Sequence, residues 1–214
     1  MEVKLVIPTS LNEITLGQYQ EFAKLDITKE LEVQSKMIEI FCKVPVEVVR
    51  SMKAKDITDI CTIINNMFDV EHQMLNRFDL NGVKYGFIPD LENMSFGEYV
   101  DLDTYIGDND NLRRAINVLY RPIDLLQGQR YTLKEYDPDT NEDAKNYPLD
   151  ACFGAMVFFY DLGKDLSTVI LNSSSKQNEE NLAQYLDSLQ NGGGTIPSMQ
   201  SLAEILQDLK ISLN

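Results

Sequence analysis

A chain of 214 residues, 43% of them hydrophobic, carries enough apolar mass for one good core or for two small ones sharing an interface. Its 34 acidic against 19 basic residues give a formal charge of −15, which repels phosphate backbones and disfavours a direct grip on nucleic acid. No run approaches the roughly 18 apolar residues of a membrane span, and residues 1–10, with an early proline and no long apolar stretch, do not resemble a secretory signal.

From the N-terminus, residues 2–7 read as a short strand. The run Leu11-Asn-Glu-Ile-Thr-Leu-Gly-Gln-Tyr-Gln-Glu-Phe22 follows, and it returns as Leu91-Glu-Asn-Met-Ser-Phe-Gly-Glu-Tyr-Val-Asp-Leu102 at a constant offset of 80. Thr15-x-x-Gln18 and Ser95-x-x-Glu98 are capping boxes, and Ile14 with Tyr19 and Met94 with Tyr99 are placed for a hydrophobic staple, so both copies start a helix at the same point. Gly17 and Gly97 sit in those first turns, where glycine costs helix propensity; close packing of another backbone would account for both. Downstream, Lys36-Met-Ile-Glu-Ile-Phe-Cys-Lys43 answers Arg114-Ala-Ile-Asn-Val-Leu-Tyr-Arg121 at an offset of 78, and a proline follows each.

Between the copies, Val33, Met37, Ile40, Phe41 and Val44 form one helical stripe. Ile57, Ile60, Cys61, Ile64, Met67 and Phe68 form another, with Asp56 as its expected N-cap and His72 as a polar residue on the outer face. Asn81-Gly82 signals a turn into a strand over residues 82–88, a further strand is expected over 130–136, and residues 137–147 read as an exposed loop. Residues 149–172 are apolar on more than one helical face, so that helix is either central to the core, as expected in a fold with few strands, or shared with a partner. Cys42, Cys61 and Cys152 have no paired spacing and read as reduced, buried fillers, pointing to assembly in a reducing cytoplasm. After a polar run and three consecutive glycines, Met199, Leu202, Ile205, Leu206 and Leu209 line one face of a last amphipathic segment. This arm is expected to dock on a neighbouring subunit, the alternative being a return onto its own core.

The expected fold is therefore mainly α (α+β with short strands): a duplicated strand–turn–helix–helix module packed on a central apolar helix, with a C-terminal amphipathic arm. The corresponding segments are 1–80, 81–172 and 173–214.

Chemistry is sparse. No serine or cysteine sits in a nucleophile-elbow context to use the single histidine, His72, and Gly192 to Gly194 lack the Lys-Ser/Thr of a phosphate loop. Asp137-x-Asp139-x-Asn141 begins like a calcium loop, but Glu142 replaces the needed glycine and Pro148 the bidentate glutamate; Asp101, Asp103, Asp108 and Asp110 have no better register. No catalytic residue, metal ligand or cofactor site is assigned.

The repeated [Ile/Met]-[Thr/Ser]-x-Gly-[Gln/Glu]-Tyr unit, the Arg113-Arg-Ala-Ile-Asn-Val-Leu-Tyr-Arg-Pro122 segment and the apolar helix that follows resemble small structural proteins of tailed bacteriophages, in particular head–tail connector or ring proteins of crAss-like phages. The resemblance spans about residues 1–172. It implies a non-enzymatic virion protein at the head–tail region, assembled in the host cytoplasm. Such a subunit would form a homo-oligomeric ring touching portal or tail components, with passive DNA passage, no specific nucleic-acid binding and no membrane. Two alternatives stand beside it: a phage tail assembly chaperone that binds another structural protein transiently, and a carboxylate-dependent enzyme.

Overall fold

In the computed structural model, which describes residues 5–26, 28–91, 93–140 and 143–174, a 3-10 turn at Leu11–Glu13 leads into Thr15 and α1 (Leu16–Phe22). Helices α2 (Glu30–Phe41), α3 (Val46–Arg50) and α4 (Ala54–Phe68) follow. Four antiparallel strands in the order β1 (Arg77–Leu80), β2 (Val83–Phe87), β3 (Tyr120–Gln127) and β4 (Arg130–Leu133) make one sheet, and α5 (Phe96–Tyr105) and α6 (Leu112–Leu119) are inserted between β2 and β3. Short 3-10 turns at Pro138–Thr140 and Asp143–Asn146 lead into α7 (Leu149–Ser174). The architecture is mainly α with a small sheet, an α+β fold.

Local chemistry accounts for the boundaries. Asn81 and Gly82 both adopt positive φ, 51° and 80°, as a two-residue hairpin between β1 and β2 demands. The helical pattern of 114–121 stops at Leu119 because Pro122 pushes the residue before it into extended backbone, so the chain runs from α6 straight into β3, where Pro122 faces Tyr85. In the first copy Lys43 takes a left-handed turn, φ 54°, and Pro45 caps α3.

Several expectations change here. The duplicated part is the helix pair: α1 and α5 start 80 residues apart, and α2 and α6 end 78 apart. It does not include a strand over residues 5–7, whose counterparts lie in β2, which has β1 and β3 to pair with; residues 2–4 of the expected strand lie outside the described residues. The N-cap of α4 is Lys53; Asp56 lies inside the first turn, where a carboxylate still favours the helix N-terminus. The strand expected over 130–136 ends at Leu133. The stretch 137–147 is not uniformly exposed, since Ala144 and Tyr147 are buried.

The core forms one apolar cluster shared by both copies. At its centre lie the first turns of α7, where Leu149, Ala151, Cys152, Phe153, Ala155 and Met156 have no solvent exposure. Phe153 joins a file of rings, with Tyr19 at 5.1 Å on one side and Phe68 at 6.2 Å on the other, continuing to Phe41 and Phe22. On the sheet side Phe78 stacks on Tyr85 and meets Tyr120 and Tyr147 edge-on, each at 5.2 Å between centroids. Burial of one such ring is worth about 2–3 kcal/mol.

Glycines mark where backbones meet. A Cβ on Gly154 would fall on the Gln73 carbonyl and within 3.0 Å of Met74 Cα, and one on Gly17 would lie 3.1 Å from the Lys145 carbonyl oxygen. Nothing lies within 4 Å of a Cβ on Gly97, so the close packing expected there is absent among the described residues. In a chain lacking residues 191–214, Gly97→Ala should raise stability by up to about 1 kcal/mol through helix propensity. Gly17→Ala should gain less or lose, and Gly154→Ala should lose about 1–3 kcal/mol to overpacking. Urea denaturation of the three variants ranks them, and a destabilising Gly97→Ala would contradict the open surface described here.

Candidate interaction surface on the second module

Both capping boxes form. Gln18 N–H donates to Thr15 Oγ1 at 3.3 Å while Thr15 N–H donates to Gln18 Oε1 at 3.0 Å; Glu98 N–H donates to Ser95 Oγ at 3.3 Å while Ser95 N–H donates to Glu98 Oε2 at 2.7 Å. The turns before them match as well, with Ile14 N–H to Leu11 O and Met94 N–H to Leu91 O.

A second shared link ties each helix start to the end of its partner helix. Gln18 Nε2 donates to the carbonyl of Ile40 near the end of α2 at 2.5 Å. Glu98 instead pairs with Arg121, just beyond α6, at 2.8 Å, with side chains only 10% and 12% exposed. Around that pair Arg114 donates to Tyr105 Oη at 2.9 Å and covers its ring, and Tyr136 Oη donates to Asp101 at 2.6 Å. Burial, reinforced by Asp101, pushes the Tyr136 phenol well up.

The outward faces differ. In the first copy, residues 144–153 lie across the helix start: Leu16 N–H donates to Tyr147 O at 3.0 Å, Leu149 N–H donates to Ile14 O at 2.9 Å, and Thr15 bridges Pro148. Lys145 passes Gly17, and Phe153 covers Tyr19, leaving Leu16 fully buried and Tyr19 4% exposed. In the second copy the same positions are open among the described residues, with Phe96 81% and Tyr99 42% exposed and nothing within 4 Å of a Cβ on Gly97. Val100 extends the stripe at 39% exposed; its counterpart Gln20 is buried against the second module, donating to Asn109 O. Ile14 and Tyr19 are both buried as a staple would require, whereas Met94 is half-buried beside the exposed Tyr99. Met199, Leu202, Ile205, Leu206 and Leu209 lie outside the described residues.

His72 is not on the outer face of a helix. It lies beyond the end of α4, 8% exposed, edge-on to Phe153 at 5.3 Å, and it donates to the Phe68 carbonyl while its Nε2 has no partner. Nothing local in the sequence signals this, because the position follows from α7 packing over the 69–76 connection. His72 lines a cleft of about 340 Å³ with Glu71, Gln73, Asp150, Thr9 and Ser10. Burial lowers the imidazole pKa and raises that of the Asp150 carboxyl, so each is held towards its neutral form. The two hydroxyls are bonded within their own turn, Thr9 to Glu13 and Ser10 to Asn12, and do not present a nucleophile activated by His72.

Among the described residues no group of three or more His, Cys, Asp or Glu side chains is placed to hold a metal ion. Asp108 and Asp137 use their carboxylates to bond the backbone of their own turns. Cys42, Cys61 and Cys152 are free and buried, and burial pushes the Cys42 thiol to about 11. No helix among the described residues is long and apolar enough to cross a membrane. Comparison with protein-family models, curated proteins and solved structures finds no match.

Removing the cation from a nearly buried pair strands its carboxylate, so Arg121→Met should cost roughly 3–5 kcal/mol, read as a lowered urea midpoint. A loss below 1 kcal/mol would mean that water reaches Glu98. The histidine gives a pH signature. Its folded pKa lies below the ordinary 6.5, so as pH falls through 6.5 the unfolded chain takes up a proton that the folded one refuses, and stability drops. The raised carboxyl of Asp150 acts oppositely, costing stability as pH rises from its ordinary 3.8 through its folded value. Unfolding midpoints should therefore fall between about pH 7 and 5.5 in the parent and fall less in His72→Asn. Equal slopes would remove His72 as the cause.

Proposed function

We propose that this chain is a non-enzymatic structural subunit of a tailed-phage virion, a head–tail connector or ring protein that encircles the DNA channel. The phage assignment rests on the likeness of the repeated helix-start motif, the 113–122 segment and α7. The structural role rests on one observation: the duplicated helix pair is covered on its first copy and open on its second, presenting Phe96, Tyr99 and Val100 to solvent. An apolar helix stripe of this kind is a protein-binding surface. The formal charge of −15 supports passage of DNA without adhesion, since like charge suppresses phosphate contacts.

The same stripe also suits a tail assembly chaperone, which would hold an apolar segment of another phage protein and then leave it. Abundance in the finished particle separates the two. Mass spectrometry of purified virions should find the chain in stoichiometric, multiple copies per particle; its absence from particles while abundant in infected cells would favour the chaperone.

Deletion of residues 191–214 should lower the oligomeric state in native mass spectrometry while leaving the helicity and melting of the remaining core nearly intact. A truncated chain that unfolds would place the arm in its own core, and one that assembles unchanged would remove the arm from the interface.

A further inference from the structure

The first module shows what the second lacks. A stretch of backbone crosses Gly17, pairs with residues 14–16 and turns into a helix whose Phe153 seats on Tyr19. The second module repeats the receiving half of that arrangement: the same turn, the same capping box, a glycine at the same point and a tyrosine one turn on. Gly97 costs helix propensity and has no neighbour among the described residues that requires it, whereas Lys145 passes close to Gly17.

The sequence also repeats the covering half. Pro148, Phe153, Gly154, Met156, Val157 and Tyr160 are answered, 49 residues on, by Pro197, Leu202, Ala203, Ile205, Leu206 and Leu209. These six of the thirteen positions keep their character: proline, large apolar, small, then three large apolar residues; the other seven differ, with Ser198, Ser201 and Glu204 standing where Leu149, Cys152 and Ala155 are buried. The residue that would stand for Lys145, whose backbone crosses the helix start, is Gly194. The chain between Ser174 and Gly194 can span up to ~70 Å when extended, enough to reach α5 of its own or an adjacent copy.

We infer that residues 194–209 dock on the α5 face of the second module as residues 145–160 dock on α1, with Gly194 crossing Gly97, the Phe96 N–H donating to the Ile196 carbonyl, and Leu202 seated on Tyr99. The inference supplies both halves of the interface that the ring reading requires. It rests on that reading only for the claim that the two halves come from different copies.

The test uses the full chain with Tyr99→Cys and Leu202→Cys together, treated with a short bis-maleimide. Tyr99 is 42% exposed, and the native cysteines are buried with raised thiols, so the parent and the single variants serve as controls. The double variant should cross-link well above both singles. A dimer or ladder supports docking between copies. A link within one chain supports the docking surface but overturns arm exchange as the basis of the ring. No link above the controls, or dimers from Tyr99→Cys alone through α5 meeting α5, overturns the inference. Hydrogen exchange gives a second reading: Leu202→Glu with Ile205→Glu should speed exchange at the Phe96 amide roughly tenfold, about the worth of one hydrogen bond. An unchanged rate would also overturn the inference.

Discussion

The constraint on which the rest of this structure depends is that α7 is apolar at every position from Ala151 to Met156 and must be enclosed on all of its faces there. A helix of that kind cannot lie on a surface. The first helix pair and α4 close one flank through Tyr19, Phe68 and Phe41, the sheet closes another through Phe87, and the 69–76 connection lies directly on Gly154. His72 is buried as a consequence of that last contact. Its desolvated imidazole is the polar cost of letting a backbone approach the helix so closely.

Duplication gives two copies of one device, and packing gives them different roles. The capping boxes are satisfied within their own segments, so they form alike in both modules whatever lies outside. The face outside the box depends on what is available to cover it, and the segment before α7 lies on only one of the two. A similar divergence appears in the link from helix start to helix end. A neutral amide suffices in the first module, where Gln18 meets a carbonyl, while the second uses a nearly buried ion pair between Glu98 and Arg121. Such a pair contributes less to net stability than to fixing geometry, because desolvation offsets much of its attraction. Its partners hold α5 and the β3 entry in register beneath the open stripe.

Much of this was legible in the residues themselves. Capping boxes, the Asn81-Gly82 hairpin, the helix pairs and the central α7 all follow from short-range chemistry or from a sustained apolar pattern, and each appears where the pattern puts it. What the sequence hid was non-local. β3 exists because it pairs with β2 across an inserted helix hairpin, Tyr147 is buried because α7 draws its leader into the aromatic cluster, and residues 5–7 remain outside a strand although their counterparts form one. The glycines show the same division: Gly17 and Gly97 are indistinguishable in sequence, and only the packing shows that a backbone crosses one and not the other. The open face of α5 was equally hidden, since Tyr99, placed by the sequence in a hydrophobic staple with Met94, stands exposed beside Phe96 and Val100.

The order of the chain turns the cover on the first module into a matter of timing. Tyr19 is synthesised early and Phe153 late, so at ordinary elongation rates of ~5–20 residues per second the nascent chain spends on the order of ten seconds or more with the α1 face bare. During that interval both modules present helix starts built on the same capping box, and a covering segment from another nascent or finished copy can meet either. Synthesis of α7 ends the ambiguity, because a cover tethered to its own module competes at high effective concentration against one arriving from solution. Vectorial translation thus breaks the symmetry of the duplicated sequence: residues 144–153 settle on the first module, and the α5 face is left to a different segment.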